Sequence, residues 1–168
     1  MKNLVLLFIS LISPLWILAQ TQSDENNQPI KKGEYMRDAD LMDLNGVKHR
    51  IADYEGRYIL LKFWQAECQY STKAMAEFEE LAKTYEEKLT VIAINVDKSQ
   101  RLWNNASEMH KISWLNLNDG KGKAGIAAQY GARDIPYFVL ISPQGIVLDI
   151  WDGYGKGSLK RVAEAHVH

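Results

Sequence analysis

Cysteine is almost absent from this sequence: among 168 residues there is one, Cys68. A lone cysteine excludes a disulfide within the chain. It leaves three roles for the residue: a partner in an intermolecular disulfide, a free reactive thiol, or a small buried hydrophobic side chain. The four histidines have no metal-ligand spacing. We therefore predict no metal site and no cofactor.

The chain also lacks a surplus of positive charge. It has 20 lysines and arginines against 21 aspartates and glutamates, for a net charge of −1. Such a balance gives no basic surface for gripping phosphates, so we predict no nucleic-acid partner. The hydrophobic content of 46% is enough for one globular domain with a sizeable core.

No hydrophobic run is long enough for a typical membrane span. The apolar run after Lys2 covers roughly 16 residues and is interrupted by Pro14, whereas a spanning helix needs about 20. We predict a cleaved signal peptide at residues 1–19, a flexible leader at 20–34 and a domain at 35–168, with an uncleaved anchor as the alternative. The mature protein is then periplasmic or secreted and not stably inserted in a membrane. No cysteine follows the run, which excludes a thioether lipid anchor.

Hydrophobic periodicity predicts alternating strands and helices over the rest of the chain. Asn45-Gly46 predicts a type I′ turn between two short strands within 41–51. The other predicted elements are strands at 58–64 and 89–96, helices at 71–87, 99–109 and 124–130, a loop at 116–123, a hairpin of strands 136–141 and 146–151, and a closing helix from about 158.

Several landmarks occur in one order along the chain. They are the Leu44-Asn45-Gly46 turn, the apolar run 58–64 before Cys68, the run 91–97, the segment 130–141 around Ile135-Pro136, and Pro143-Gln144-Gly145. Over residues 38–165 the chain resembles the exported TlpA/ResA-like branch of the thioredoxin-fold thiol-disulfide oxidoreductases. The resemblance implies an α/β thioredoxin-like fold, in which helices flank a central mixed β-sheet and a β-hairpin precedes it.

The resemblance also implies a site. Cys68 matches the family's nucleophilic cysteine, and Ile135-Pro136 matches a cis peptide that lies opposite it and pairs with substrate. The family's second cysteine is Ser71 here. The acid that thioredoxins bury is Lys62, and the tryptophan before the first cysteine is Glu67.

Elementary chemistry makes Cys68 a candidate thiolate, because unpaired N–H groups and the helix dipole at a helix start favour an anion. Ser71 either contacts the sulfur or is only the N-cap or a first-turn residue of the helix. Lys62 would favour the thiolate and Glu67 would oppose it. Tyr70 either stacks on a substrate or covers the sheet.

Two further residues of this helix, Lys73 and Glu77, are predicted on its solvated face. Trp64, in the apolar strand before the turn, is predicted in the core.

A hydroxyl cannot resolve a mixed disulfide, so Cys68 would start thiol-disulfide exchange without finishing it alone. We predict a monothiol oxidoreductase or isomerase that acts on protein or small-molecule thiols and disulfides. A disulfide-linked partner through Cys68 is also expected. The alternatives are a redox-silent peptide-binding module or periplasmic chaperone, and a sensor that stops at a sulfenic acid or a small-thiol adduct.

Overall fold

A computed structural model describes residues 28–168, and the predicted signal peptide lies outside them. Seven strands are present in this range: β1 Leu41–Met42, β2 Lys48–His49, β3 Tyr58–Trp64, β4 Leu89–Asn95, β5 Leu115–Leu117, β6 Tyr137–Ile141 and β7 Val147–Asp152. The helices are α1 Gln69–Lys73, α2 Met75–Thr84, α3 Gln100–Met109, α4 Ile126–Tyr130 and α5 Ser158–His166. Short 3-10 turns span Ile51–Tyr54 and Gly122–Ala124.

The central sheet has the order β5-β4-β3-β6-β7, and β1 and β2 form a separate hairpin. Strand β3 pairs in parallel with β4, and β4 pairs in parallel with β5. The late hairpin adds β6 antiparallel to β3 and β7 antiparallel to β6. The mixed sheet, its flanking helices and the preceding hairpin confirm the predicted architecture.

Strand β3 separates two hydrophobic cores because its side chains alternate between the faces of the sheet. Ile59, Leu61 and Phe63 join one cluster, whereas Leu60 and Trp64 join the cluster that packs against α2 and α5. Trp64 is fully buried, as predicted. The alternation also puts the side chain at position 62 on the face covered by α1 and α2, directly beneath the turn that carries the cysteine.

The β1–β2 turn is not the predicted type I′. That turn needs positive φ at both central residues, but Lys111 is the only non-glycine with positive φ among residues 28–168. Gly46 has φ 79°, and the Asp43 carboxylate accepts hydrogen bonds from the N–H groups of Asn45 and Val47, both at 2.8 Å. An aspartate side chain therefore holds a wider turn.

Two other elements differ from prediction by more than small shifts of their ends. The predicted helix at 71–87 begins earlier, at Gln69, and is divided at Ala74 into α1 and α2. Within the predicted loop 116–123, residues 116 and 117 belong to β5, the outer strand of the sheet. Three residues are too few for a period-2 pattern to be recognised.

The packed chain begins before residue 35. Ile30 is buried in the core, and its N–H donates to the carbonyl of Gln129 at 2.9 Å. Gly33 and Val147 are joined by a similar bond of 2.8 Å. The second half of the predicted leader is thus part of the fold.

Glu77 was predicted on the solvated face and is instead 9% exposed. From α2 its carboxylate accepts hydrogen bonds from the Tyr154 hydroxyl and from the N–H groups of Gly157 and Lys160, at 2.8, 2.9 and 2.8 Å. Burial raises the pKa of Glu77, but these donors outweigh it and lower the pKa below its ordinary value. A carboxylate on one helix therefore caps the start of α5.

We expect Glu77→Gln to lower the free energy of unfolding by about 1–3 kcal/mol, because the charged acceptor of several hydrogen bonds is lost. Since folding lowers this pKa, the stabilisation is present above the unfolded-state pKa and lost as pH falls through the folded-state value. Urea unfolding against pH should show a shallower acid loss in the variant. The control is Glu79→Gln, whose exposed pair with Lys83 contributes little. Equal effects of the two variants would contradict the capping role.

Candidate functional site

Cys68 lies between the end of β3 and the start of α1. After Trp64 the chain turns, and the N–H of Cys68 donates to the carbonyl of Gln65 at 3.1 Å. Cys68 has extended dihedral angles and is the N-cap residue of α1, and its own carbonyl accepts from the N–H of Thr72 at 3.2 Å. The side chain is half-buried. The sulfur is therefore neither sealed in the core nor fully in solvent.

The thiol has one direct partner across the site. Its Sγ donates to the carbonyl oxygen of Ile135 at 3.3 Å, and the Ile135–Pro136 peptide bond is cis. Burial raises the pKa of Cys68, but hydrogen bonds from the Ser71 hydroxyl and from the N–H groups of Ser71 and Tyr70 lower it. The charge of Lys123 acts in the same direction. The net effect is a pKa below the ordinary value for a thiol.

Ser71 does not cap the helix, because it lies inside the first turn. Its side chain is 0% exposed, and its Oγ has no hydrogen-bond partner among the described residues while the thiol points to Ile135. This hydroxyl can turn to donate to the sulfur once the proton has left, which explains why Ser71 lowers the pKa of Cys68. Ser71 is thus a donor held ready for a thiolate.

Lys62 is 0% exposed and lies below the same turn. Its Nζ donates to the carbonyl of Ser71 at 2.9 Å and lies 5.4 Å from the ring centre of Phe78. No carboxylate pairs with it among residues 28–168. Burial lowers the pKa of Lys62 to about 7, and the Cys68 thiolate opposes that shift. The attraction between the ammonium and the thiolate is mutual, but Lys123 is the cation with the larger effect on the pKa of Cys68.

The two remaining predicted residues are on the surface. Tyr70 is 57% exposed, which rules out the reading that it covers the sheet, and the Nζ of Lys73 lies 5.2 Å from its ring centre. Glu67 is exposed and makes no hydrogen bond or ion pair with the described residues. The structure therefore brings Ser71, Lys62 and Ile135 around Cys68, and leaves Tyr70 and Glu67 at its rim.

A buried polar network that sequence reasoning missed holds the turn. Asp97 Oδ2 accepts from the N–H of Ala66 at 2.8 Å and from the Asn95 amide at 2.7 Å. The amide of Asn118 donates to Asn95 Oδ1 at 2.9 Å. The sequence did contain a signal for this network: Asn95 and Asp97 stand at the carboxyl end of the buried strand β4, which is parallel to β3. The carboxyl ends of parallel strands meet at one edge of the sheet.

Lys123 was also missed. It is the last residue of the predicted loop 116–123 and is exposed, and its distance from Cys68 along the chain conceals its proximity. Its Nζ donates to the carbonyl of Arg133 at 2.8 Å, which ties the 3-10 turn to the loop before Pro136. This contact brings a cation into the electrostatic environment of the thiol.

Other kinds of site are not apparent in the part of the chain that the structure describes. Within residues 28–168 no group of three or more His, Cys, Asp or Glu is placed to hold a metal ion. Over the same range, no helix combines the length and the apolar character needed to cross a bilayer.

The mixed sheet with its flanking helices is a thioredoxin-like fold. The half-buried cysteine at the strand-to-helix turn, facing the peptide bond of Ile135 and Pro136, is a site of the thiol-disulfide oxidoreductase type. The family model described as "AhpC/TSA family" matches residues 33–150. The chain belongs to this family.

The chain is 30% identical over 141 residues to thioredoxin-like protein YneN of Bacillus subtilis, a match that covers 82% of this chain and 81% of the relative. It is 27% identical over 114 residues to thiol-disulfide oxidoreductase ResA of Geobacillus thermodenitrificans, covering 67% of this chain and 64% of ResA. The chain thus spans just under two thirds of that relative. The thioredoxin domain of a thiol-disulfide oxidoreductase from Bacteroides vulgatus superimposes with a TM-score of 0.75 at 20% identity, covering 83% of this chain and 99% of that domain.

Proposed function

We propose that this protein is an exported monothiol thiol-disulfide exchange protein in which Cys68 forms the mixed disulfide. The observation that supports the proposal best is the placement of its sulfur. It is half-buried at the start of α1, between the unpartnered hydroxyl of Ser71 and the carbonyl of Ile135. The thiolate is the reactive form of cysteine, and this environment favours it.

The exchange has two steps. In the first, the Cys68 thiolate attacks a disulfide R–S–S–R′, the bond between Sγ and the sulfur of R forms, and R′–S⁻ leaves and takes a proton from water. In the second, an external thiolate R″–S⁻ attacks the sulfur of R, releases R–S–S–R″ and returns the electron pair to Cys68. Ser71 cannot supply that second sulfur, so a substrate thiol, a small thiol or a partner protein must do so.

The other site residues take separate roles in this proposal. Ser71 donates to the thiolate, and Lys62 adds a weaker positive charge from below. The N–H of Ile135 makes no hydrogen bond to another described residue, which leaves it available to an extended substrate segment beside Pro136. Tyr70 offers an exposed ring for stacking at the rim.

Export is the further part of the proposal. It rests on the predicted signal peptide at residues 1–19, which lies outside the described residues. An oxidising compartment would maintain the supply of disulfides that a single thiol needs.

The test is the rate of alkylation of Cys68 by iodoacetamide as a function of pH. We expect an inflection below the value of about 8.5 for a free thiol, because the donors of α1 favour the thiolate. Ser71→Ala should move the inflection upward, because the buried hydroxyl is lost. Cys68→Ser is the control and should show no labelling.

The proposal would be contradicted if Cys68 reacted only at pH values above the pKa of a free thiol, or did not react at all in the folded protein. That outcome would favour the redox-silent binding module instead. Trapping of mixed disulfides from an extract of exported proteins, compared with Cys68→Ser, then tests whether the thiol engages partners.

A further inference from the structure

A cavity opens beside the peptide segment that faces the sulfur. It holds about 370 Å³ and is lined by Pro29, Lys123, Ala128, Gly131, Ala132 and Arg133. This volume lies within the range of small-ligand sites, about 300–1,000 Å³. Its only charged lining residues are the two cations, Lys123 and Arg133.

We propose that this cavity is a subsite for the carboxylate of a disulfide substrate, so that the protein prefers disulfides with a negative charge close to the reacting sulfur. This inference rests on the proposed function. Subsite here means the cavity lined by Lys123 and Arg133.

The connection to the sulfur is short. Ile135, whose carbonyl contacts Sγ, is two residues after Arg133, so the Cα atoms of these two residues lie at most about 7 Å apart. Lys123 lies close enough that its charge favours the Cys68 thiolate. A substrate joined to Sγ would therefore bring a group one or two residues from its own sulfur to the subsite.

Asp119, the acid that precedes the 3-10 turn, makes no ion pair with either cation. The two oxygens of Asp119 accept from the N–H groups of Lys121 and Ile126, at 2.8 and 2.7 Å. Neither Lys123 nor Arg133 forms an ion pair with a carboxylate among the described residues.

Other charges lie nearby along the chain. Lys98 is a further cation, since its side chain reaches to Gly122. The exposed acids Glu67 and Asp134 do not line the cavity. A bound carboxylate would then meet two cations that no described carboxylate pairs with, although the Nζ of Lys123 also donates to the Arg133 carbonyl.

The test compares second-order rates of Cys68 with three small disulfides on the full-length protein. Dithiodipropionate carries carboxylates, cystamine carries ammonium groups, and dithiodipyridine is neutral. Substituting Lys123 also raises the pKa of the thiol, but this affects all three probes equally and cancels in the ratio of the anionic to the cationic rate. We expect this ratio to favour the anion and to fall about tenfold in Lys123→Gln/Arg133→Gln, because the attraction of two cations for a bound carboxylate is lost.

The double variant could lower the ratio simply by disturbing the local structure, and the single variant Arg133→Gln tests for this. It keeps Lys123 and the backbone carbonyl to which Lys123 donates, and the ratio should still fall. Lys88→Gln is the control, since Lys88 is exposed at the opposite end of β4. Raising the salt concentration should weaken the preference in the wild type and much less in the double variant.

Two further substrates distinguish the source of the carboxylate. Oxidised glutathione represents a small free disulfide, and peptide disulfides with Asp or Lys beside the cysteine represent a protein segment. The source that uses the subsite is the one whose rate falls in Lys123→Gln/Arg133→Gln relative to dithiodipyridine. An unchanged ratio in both variants, with dithiodipyridine still reacting, would overturn the subsite and leave the exchange function standing. Failure of dithiodipyridine itself to react would overturn the exchange function and, with it, this inference.

Discussion

Ser71→Cys is expected to convert the protein from a monothiol into a dithiol enzyme. Residues three apart in the first turn of a helix have neighbouring side chains, at a spacing that a disulfide can bridge. The introduced thiol would attack Sγ of Cys68 in any mixed disulfide, release the substrate as a thiolate and close an internal disulfide. Without added thiol, release should be at least about 100-fold faster than in the wild type, because an intramolecular attacker has a high effective concentration.

The measurement is the decay of a purified mixed disulfide between Cys68 and a chromogenic thiol. Ser71→Ala is the matched control, because it loses the same hydroxyl without gaining a sulfur, and its mixed disulfide should be as long-lived as that of the wild type. Thiol counting after mild oxidation should find no free thiols in Ser71→Cys and one in the control. If both variants hold their mixed disulfides equally long, Cys68 and position 71 do not face each other as the structure places them.

The sheet could be predicted from the sequence because its strands are long apolar runs. Strand β3 has the bounds that the run at 58–64 predicts, and β4 ends one residue before the predicted 89–96. Strands buried on both faces are nearly continuous apolar runs, and in β3 only Lys62 interrupts the seven positions, so the signal is strong. The position of Cys68 at the strand-to-helix turn followed from the same run.

What could not be predicted depends on side chains that meet from distant parts of the chain. Glu77 has the spacing of an exposed helix position, and nothing local reveals that Tyr154 and two N–H groups at the start of α5 supply donors for it. Lys123 is similarly remote from Cys68 in sequence. Short elements were missed for another reason. The three residues of β5 form a strand because they pair with β4, and their own sequence pattern does not predict it.

The turn at Asn45-Gly46 shows a competition that the dipeptide alone does not reveal. Asn-Gly is typical of type I′ hairpins, but Asp43 two residues earlier offers a carboxylate to the N–H groups of the turn. That side-chain contact fixes a wider loop. A side-chain acceptor thus outweighs the backbone preference of the dipeptide.

Lys62 is the residue at which stability and function are expected to oppose each other. A buried ammonium without a carboxylate partner is unfavourable, because its hydration is lost and only one hydrogen bond, to Ser71, replaces it in the described structure. The charge gains a partner when Cys68 is a thiolate. The fold therefore holds a cation that the reactive form of the thiol helps to stabilise.

We expect Lys62→Met to raise the free energy of unfolding by about 1–3 kcal/mol at pH 7, because a side chain of similar length removes the buried charge. Folding lowers the pKa of Lys62 from 10.5 to about 7, so between these values the unfolded wild type binds more protons and its stability rises with pH. The advantage of the variant should accordingly shrink from pH 7 towards pH 10 in urea unfolding, while Lys88→Met, which replaces an exposed lysine, should change stability little at any pH.

Lys62→Met should also move the alkylation inflection of Cys68 upward, because the cation below α1 is gone. A Lys62→Met protein that is less stable than the wild type, with an unmoved inflection, would show that the ammonium is well compensated by other groups and does not act on the sulfur.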